Sequence, residues 1–324
     1  MQRTFGYALL MLLAATCYGL TTPIMKLAYQ AGFSVQDMTN AQYGLGLVIL
    51  WLIWLVMIAT RAASWPRLPR KQWLLLGAIG ILNAVTSFGY YQALTVLPGS
   101  LGIILLFQFT WMVLLMDAIV NRRRPSWQQF AGIGVILLGT VLAVGAHSAG
   151  AVSKAGGLST HGAHVLAWAI PMGLLGGLGY AAVLFLSGYI SREGLPLYTS
   201  AISIVFSTVA ITIPFHPTYL WSGVLWHGLW FWGLLVALSS QVIPLLLMLA
   251  AIPRIGGRMA GVLGSVELPV AVVSTHFLVN ESVSAWRWVG VVLILLGIVL
   301  SEWIGNKSND PSTGDSGHLF NSME

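Results

Sequence analysis

Charge is scarce in this sequence: only 7% of its 324 residues are Asp, Glu, Lys or Arg, while 57% are hydrophobic. A water-soluble globule of this length needs far more polar surface, so the composition excludes one. Cys17 is the sole cysteine, which rules out an intrachain disulfide and a cysteine metal cluster; it reads as a small buried apolar residue. There is no G-x-x-x-x-G-K-[ST] loop, so the chain lacks that means of binding nucleotide and drawing directly on ATP. It also has no G-x-S-x-G run and no paired membrane aspartates, the groups that intramembrane hydrolysis would need. His161 and His164 stand in HGAH with no nearby acid to complete a metal site. No metal and no cofactor are expected.

What the sequence has in abundance is apolar runs of membrane-spanning length, separated by short polar punctuation and accompanied by 14 tryptophans. The fold class that follows is an all-α polytopic membrane protein. Ten transmembrane helices are expected at about 5–29, 38–60, 73–96, 100–120, 127–146, 165–190, 197–215, 229–251, 258–279 and 285–304. The first follows Arg3 and contains LAATC, faintly like a lipoprotein cleavage site. Thr16 suits such a site poorly and apolar character resumes through Ile24 and Leu27, so a retained span is expected. Residues 147–164, rich in Gly, Ala and Ser, read as a flexible extracytoplasmic loop, and the polar residues 305–324 as a disordered cytoplasmic tail. Trp65, Trp221, Trp226 and Trp303 fall near span ends as interfacial anchors.

The net charge of +6 and pI near 9.6 do not point to nucleic acid, because the basic residues lie in small groups between apolar runs. With the N-terminus in the cytoplasm, that side collects Arg3, Arg61, Arg67, Arg70, Lys71, Arg122, Arg123, Arg124, Arg192, Arg254, Arg258 and Lys307; the other side receives Lys154 and Arg287. Lys and Arg in short loops resist translocation, so both termini are expected in the cytoplasm of a cell-membrane protein.

The chain also repeats itself. GIGVILLGTVL from Gly132 aligns with GVVLILLGIVL from Gly290, and the match continues upstream with one gap, pairing Val120-Asn121 with Val279-Asn280, Gly102 with Gly261, Ala78 with Ala237 and Trp73 with Trp232. Residues 1–146 and 165–304 are thus two five-helix repeats. An odd number of spans per repeat makes them inverted, an arrangement that builds a substrate site at the midplane between the halves. The pairs Gly132/Gly139 and Gly290/Gly297 put a small-residue stripe on each closing helix, suited to close packing.

YYQALTVLPGSLGIILLFQFTWMVLL followed by WQQFAGIGVILLGTVL, and IPRIGGRMAGVLGSVELPVAVV followed by NES and WVGVVLILLGIVL, resemble the paired EamA repeats of the drug/metabolite transporter superfamily. CYGLTTPIMK, ending at Lys26, is similar to that family's small-residue segment ending in lysine. The resemblance implies a ten-helix transporter with cytoplasmic termini, commonly an exporter of amino acids, other metabolites or toxic compounds. Where the family often has a proline within the fourth span and a glutamate after it, this chain has Thr110 and the run Arg122 to Arg124. The second half keeps both features, as Pro269 and Glu281.

Glu267 is the residue that the composition makes most conspicuous. Nine residues from Arg258 at 1.5 Å each put it roughly 13 Å deep in a hydrocarbon layer about 30 Å thick, where a carboxylate costs on the order of 2.5–3.5 kcal/mol. It should therefore face a polar cavity, carry a proton, or both. Either it binds an amine-bearing or cationic substrate or cycles a proton, or it is a protonated acid bonded to a neighbouring helix in a span bent by Pro269. Its repeat counterpart is Gln108, expected across the same central space. Tyr18, Thr21, Asn83, Tyr90, Phe107, Trp111, Tyr180, Ser240 and Gln241 sit at or near mid-depth and together suit a small-molecule site, although packing explains any one of them. Lys26 and His276 approach the outer face, where snorkelling competes with substrate contact for Lys26. Asp117 approaches the inner face, as a gate paired with the arginines or as a solvated interfacial acid.

The expected function is a secondary transporter of small organic metabolites or drugs, exporting by alternating access, with a small-molecule substrate, the lipid bilayer and a possible proton as partners. A passive facilitator, an intramembrane enzyme and a receptor-like protein remain as alternatives, and the oligomeric state is open.

Overall fold

A computed structural model of the protein describes residues 2–62, 68–122, 127–154, 160–187, 197–217, 222–255, 260 and 263–304. Among the described residues the regular structure is entirely helical: α1 Gln2–Gln30, α2 Val35–Ala59, α3 Arg70–Val96, α4 Gly99–Leu106, α5 Phe109–Val120, α6 Trp127–Lys154, α7 Thr160–Ser187, α8 Leu197–Thr212, α9 Leu229–Ala237, α10 Ile243–Ile255, α11 Glu267–Leu278 and α12 Ala285–Ile304. Local signals set the ends. Ser34 caps α2, its Oγ accepting from the Asp37 N–H at 3.0 Å. Pro69 and Pro98 stand at the starts of α3 and α4, and Leu97, just before Pro98, is extended as a pre-proline residue must be.

Among the described residues, six stretches are long and apolar enough to cross a membrane: Phe5–Gln30, Val35–Ala59, Arg70–Val96, Gly99–Val120 (α4 with α5), Ala167–Ser187 and Leu229–Ile252 (α9 with α10). The other four expected spans hold shorter apolar helices, Gln129–Ala143, Leu197–Thr212, Glu267–Leu278 and Ala285–Leu300. The expected flexible segment differs from its reading. Helix continues through Lys154 and resumes at Thr160: residues 147–154 and 160–164 hold no proline and only one glycine each, a penalty of about 1 kcal/mol that the adjoining long helices absorb. The tail 305–324, Trp65, Trp221, Arg67, Arg123, Arg124, Arg192, Arg258 and Lys307 lie outside the described residues, as do residues 155–159.

The packing is inside out relative to a soluble protein. Phe5, Leu74, Ile119 and Phe277 are at least 72% exposed, whereas Thr22, Gln42, Gln108 and Arg287 are at most 4% exposed. An apolar exterior around buried polar groups is what lipid as solvent selects. Trp226, near one end, is exposed.

Two-fold order runs through the bundle. α3 packs on α7 as α1 packs on α10; α3 packs on α8 as α2 packs on α9; α4 and α5 pack on α7 as α11 packs on α1. Each relation is the other with the repeats exchanged. The closing helices α6 and α12 pack on each other with the expected glycines at the seam. A methyl group on Gly139 would come within 2.7 Å of the Gly290 carbonyl oxygen, and one on Gly297 within 2.8 Å of the Gly132 carbonyl oxygen. Residue numbers rise along one helix as they fall along the other, so these equivalent helices run antiparallel.

With α4 and α5 taken as one stretch, and α9 and α10 as another, the connections between successive stretches are short and the stretches alternate in direction. One end of the bundle carries Arg61, Arg70, Lys71, Arg122 and Arg254; Gly99, Glu281 and Arg287 lie at the other. At the arginine-rich end Met11 of α1 clusters with Ala251 and Ala260, and the Arg254 guanidinium lies 4.7 Å from the Tyr7 ring centroid.

Candidate functional site

Three local departures from α-helix converge on the centre. The first separates α4 from α5 at Phe107-Gln108. Gln108 Nε2 donates to the Ile104 carbonyl at 3.0 Å, occupying the acceptor that the Gln108 backbone N–H would use, and that N–H turns to Leu105 at 3.2 Å. The second lies at Ser265-Val266, just before α11. Pro269 has no N–H to offer the Ser265 carbonyl, which accepts instead from Leu268 at 3.1 Å. The third is a π-turn, Leu238–Val242, between α9 and α10. It directs Ser239 towards Thr21, whose hydroxyl donates to it at 3.1 Å, and Ser240 towards Gln42, whose Nε2 donates to it at 2.8 Å.

Glycines let neighbouring backbones press onto both breaks. A methyl on Gly19 of α1 would lie 2.8 Å from the Glu267 carbonyl oxygen, and one on Gly177 of α7 would lie 3.0 Å from that of Leu106. The two glycines hold equivalent places in the repeats, and so do the turns they touch.

Between the halves lies a cavity of about 360 Å³. Glu267, Tyr18, Thr21, Asn83, Tyr90, Tyr180, Ser240 and Gln241 line it, drawn from α1, α3, α7, the π-turn and α11. Of the residues singled out from sequence, the structure brings these together. The lining continues through Leu76, Ser187, Thr199 and Ile252, which lie near the helix ends at the arginine-rich side. Towards the opposite end Thr22 and Tyr90 share a hydrogen bond of 2.6 Å, and beyond them α4, α11 and α1 meet around Gly99. Tyr180 packs edge-on against Phe109 with ring centroids 4.7 Å apart, which fixes one aromatic wall.

Among the described residues of the lining Glu267 is the only carboxylate, and none is Lys, Arg or His. Tyr18, Tyr90 and Tyr180 lie within electrostatic range of it. A carboxylate facing hydroxyls, amides and aromatic faces can accept hydrogen bonds from an ammonium group or take up a proton. No group of three or more metal-ligating side chains occurs among the described residues.

Six of the singled-out residues lie elsewhere. Gln108 points away from the cavity: beyond its bond to Ile104, its Nε2 donates to Thr140 Oγ1 at 2.6 Å and its Oε1 accepts from Trp111 Nε1 at 3.0 Å. Gln108 and Trp111 therefore tie the broken span to α6, and the expected pairing of Gln108 with Glu267 across one space is not formed. Pseudo-symmetry carries over the backbone position but not the side-chain direction. Lys26 is half-buried near the far end, within electrostatic range of Glu281. Asp117 accepts from Asn121 Nδ2 at 2.6 Å and makes no ion pair among the described residues. Phe107 is buried in the core, and exposed His276 bonds through Nδ1 to the Glu281 carbonyl at 2.7 Å.

Sequence reasoning passed over Thr22, Gln42, Thr86, Ser87 and Tyr91, all in the lining. A usable signal existed for two of them. Asn83, Ser87 and Tyr90 follow the i, i+4, i+7 spacing of one helix face, and Gln42 belongs to TNAQ, a polar cluster in an apolar span. Tyr43 stiffens the same wall, bonding Ser87 Oγ at 2.7 Å and donating to the Asn83 carbonyl at 3.1 Å.

Comparison with known proteins agrees with this architecture. A solved structure described only as "Crystal structure of protein" superposes on 96% of this chain and 100% of its own, with a TM-score of 0.61 and 15% identity, a likeness of fold alone. No curated protein matches the chain. The sequence profile of the EamA-like transporter family matches twice, over residues 5–145 and 167–303, once for each repeat. With nearly its whole described length accounted for by that paired match, the chain belongs to the EamA-like transporter family.

Proposed function

We propose that the protein is a secondary transporter that exports small organic solutes from the cytoplasm by alternating access, with the central cavity as its substrate chamber and Glu267 as the group that binds an amine or cation, or exchanges it for a proton. In this reading two inverted five-helix repeats cross the membrane ten times, and the arginine-rich end is cytoplasmic, so both termini are too. The antiparallel seam of α6 and α12 and the exchange-related packing support the inversion. The observation that carries the functional reading is a lone carboxylate, lining a cavity between the repeats, that forms no hydrogen bond or ion pair with another described residue. An intramembrane charge without a protein partner is matched to a partner that comes and goes.

Purified protein in proteoliposomes, offered a panel of organic amines and amino acids with and without a pH gradient, tests this. Flux driven by the gradient and lost in Glu267→Gln is the expected result. A charge-assisted hydrogen bond is worth about 1.5–3 kcal/mol, so the loss should be roughly ten- to hundredfold. Flux that ignores the gradient in both forms would identify an uncoupled facilitator, and no flux for any solute would remove the transport reading.

A further inference from the structure

The end of the bundle opposite the arginine-rich one is held by a cluster that joins the two repeats. Glu281, in the connection between α11 and α12, accepts from the Gly99 N–H at 2.7 Å, from the Ser100 N–H at 3.3 Å and from the Ser100 hydroxyl. Its carboxylate thus caps the start of α4 in the other repeat, where free N–H groups and the helix dipole favour an anion. Arg287 of α12 completes the cluster, 3.2 Å from Glu281 and donating to Ser100 Oγ at 2.8 Å. The side chains of Arg287 and Glu281 are only 5% and 12% exposed. Gly99 makes this closeness possible: a methyl there would fall 2.7 Å from Thr275 Cγ2 and 3.0 Å from Thr22 Cγ2.

The repeat relation asks what stands at the other end. The offset that pairs Val120-Asn121 with Val279-Asn280 puts Arg122 in the place of Glu281 and Arg258 in the place of Gly99. Arg122 is exposed, and an arginine cannot accept from a helix N-terminus as a carboxylate does. One end therefore owns a buried, charge-assisted clamp between repeats, and the other has no acid at the equivalent position.

We propose that Glu281, with Ser100 and Arg287, is a one-sided latch that keeps the far end shut, so that the unloaded carrier rests with its chamber open to the arginine-rich side. The proposal rests on the alternating-access reading above. Breaking the latch removes the bias, and the two states approach each other in population. Solute presented from the arginine-rich side then binds with lower apparent affinity, because a smaller fraction of the protein is competent to receive it.

Pulsed electron paramagnetic resonance on the full chain in lipid nanodiscs tests the latch without any solute. In a Cys17→Ala background, spin labels at Val96 and Ser282, both exposed and on opposite repeats at the far end, report its opening. The parent should give one dominant short distance. Glu281→Gln should raise the ratio of long to short distances at least about tenfold, with Ser100→Ala giving a smaller shift in the same direction. Arg122→Glu, a change at an exposed site that spares the fold, should also raise the long population by supplying the missing acid at the other end. An unchanged distribution in Glu281→Gln overturns the latch, and one unchanged in Arg122→Glu overturns its one-sidedness. Should Glu281→Gln fail to fold, Ser100→Ala decides in its place by the same criterion. Shifted distances without measurable flux leave the latch standing and remove the transport reading; normal flux with unshifted distances does the reverse.

Discussion

The span containing α4 and α5 and the span that ends in α11 are broken at equivalent turns, and they reach the break by different chemistry. In the first repeat a glutamine side chain takes the Ile104 carbonyl from its own backbone. In the second, Pro269 withholds an N–H from the Ser265 carbonyl. The difference decides what each polar side chain is free to do. Gln108 makes the break itself, and Thr140 and Trp111 occupy the rest of its amide. Where proline makes the break, Glu267 is released from that task and lines the cavity. Two residues that look like twins along the repeat are thus a brace and a cavity-lining acid.

Exchanging them is the sharpest way to break this comparison. The double variant Gln108→Glu with Glu267→Gln keeps the number of acids and amides and reverses their places. If site and brace are fixed by surroundings, transport falls as far as in Glu267→Gln alone, by roughly ten- to hundredfold. Recovery of flux to within twofold of the parent would mean that the two positions face one space after all.

A smaller effect separates bracing from transport. Gln108→Leu removes the acceptor for Trp111 Nε1 and the donor to Thr140, and leaves the Ile104 carbonyl to the backbone. Losing buried partners of this kind costs about 1–3 kcal/mol. The expected outcome is a lower midpoint of thermal unfolding with KM for the transported solute unchanged. A raised KM with an unaltered midpoint would assign Gln108 to the site.

Much of the fold was legible because membrane spans announce themselves by length and apolarity, and the closing-helix glycines by their spacing of seven. The seam of α6 and α12 forms where that spacing puts it. Half of the candidate site was legible for a related reason: an acid or a tyrosine amid apolar residues is costly enough to be noticed one residue at a time. What sequence could not supply was direction. Gln108 and Glu267 share a repeat position, and only a hydrogen-bond geometry spanning Ile104, Thr140 and Trp111 turns one of them outward. The π-turn carried a signal that went unread: Pro244, just beyond Leu238–Val242, has no N–H to offer the Ser240 carbonyl. Where the turn sends Ser239 and Ser240, to α1 and α2, is visible only in the fold. The end cluster stayed hidden because Ser100 and Glu281 are far apart in sequence.

The smallest expected effect gives the cleanest reading of the brace. Thr140→Val keeps the shape of the side chain and deletes the Oγ1 that accepts from Gln108 Nε2 and donates to the Ile136 carbonyl at 2.9 Å. Gln108 retains Ile104 and Trp111, and the Ile136 carbonyl retains its helical partner, so no polar atom is stranded alone. Two hydrogen bonds are lost; the one to the Ile136 carbonyl, which keeps its helical partner, counts for little, and the one from Gln108 is worth about 0.5–1.5 kcal/mol. Thermal unfolding should shift downward by that amount while flux and its response to the pH gradient stay as in the parent. Because α6 lies against α12 along the glycine seam, a brace from the broken span to α6 also steadies the contact between repeats. If Thr140→Val instead altered the pH response as Glu267→Gln does, the amide and the carboxylate would belong to one network, and the separation of brace from site would fail.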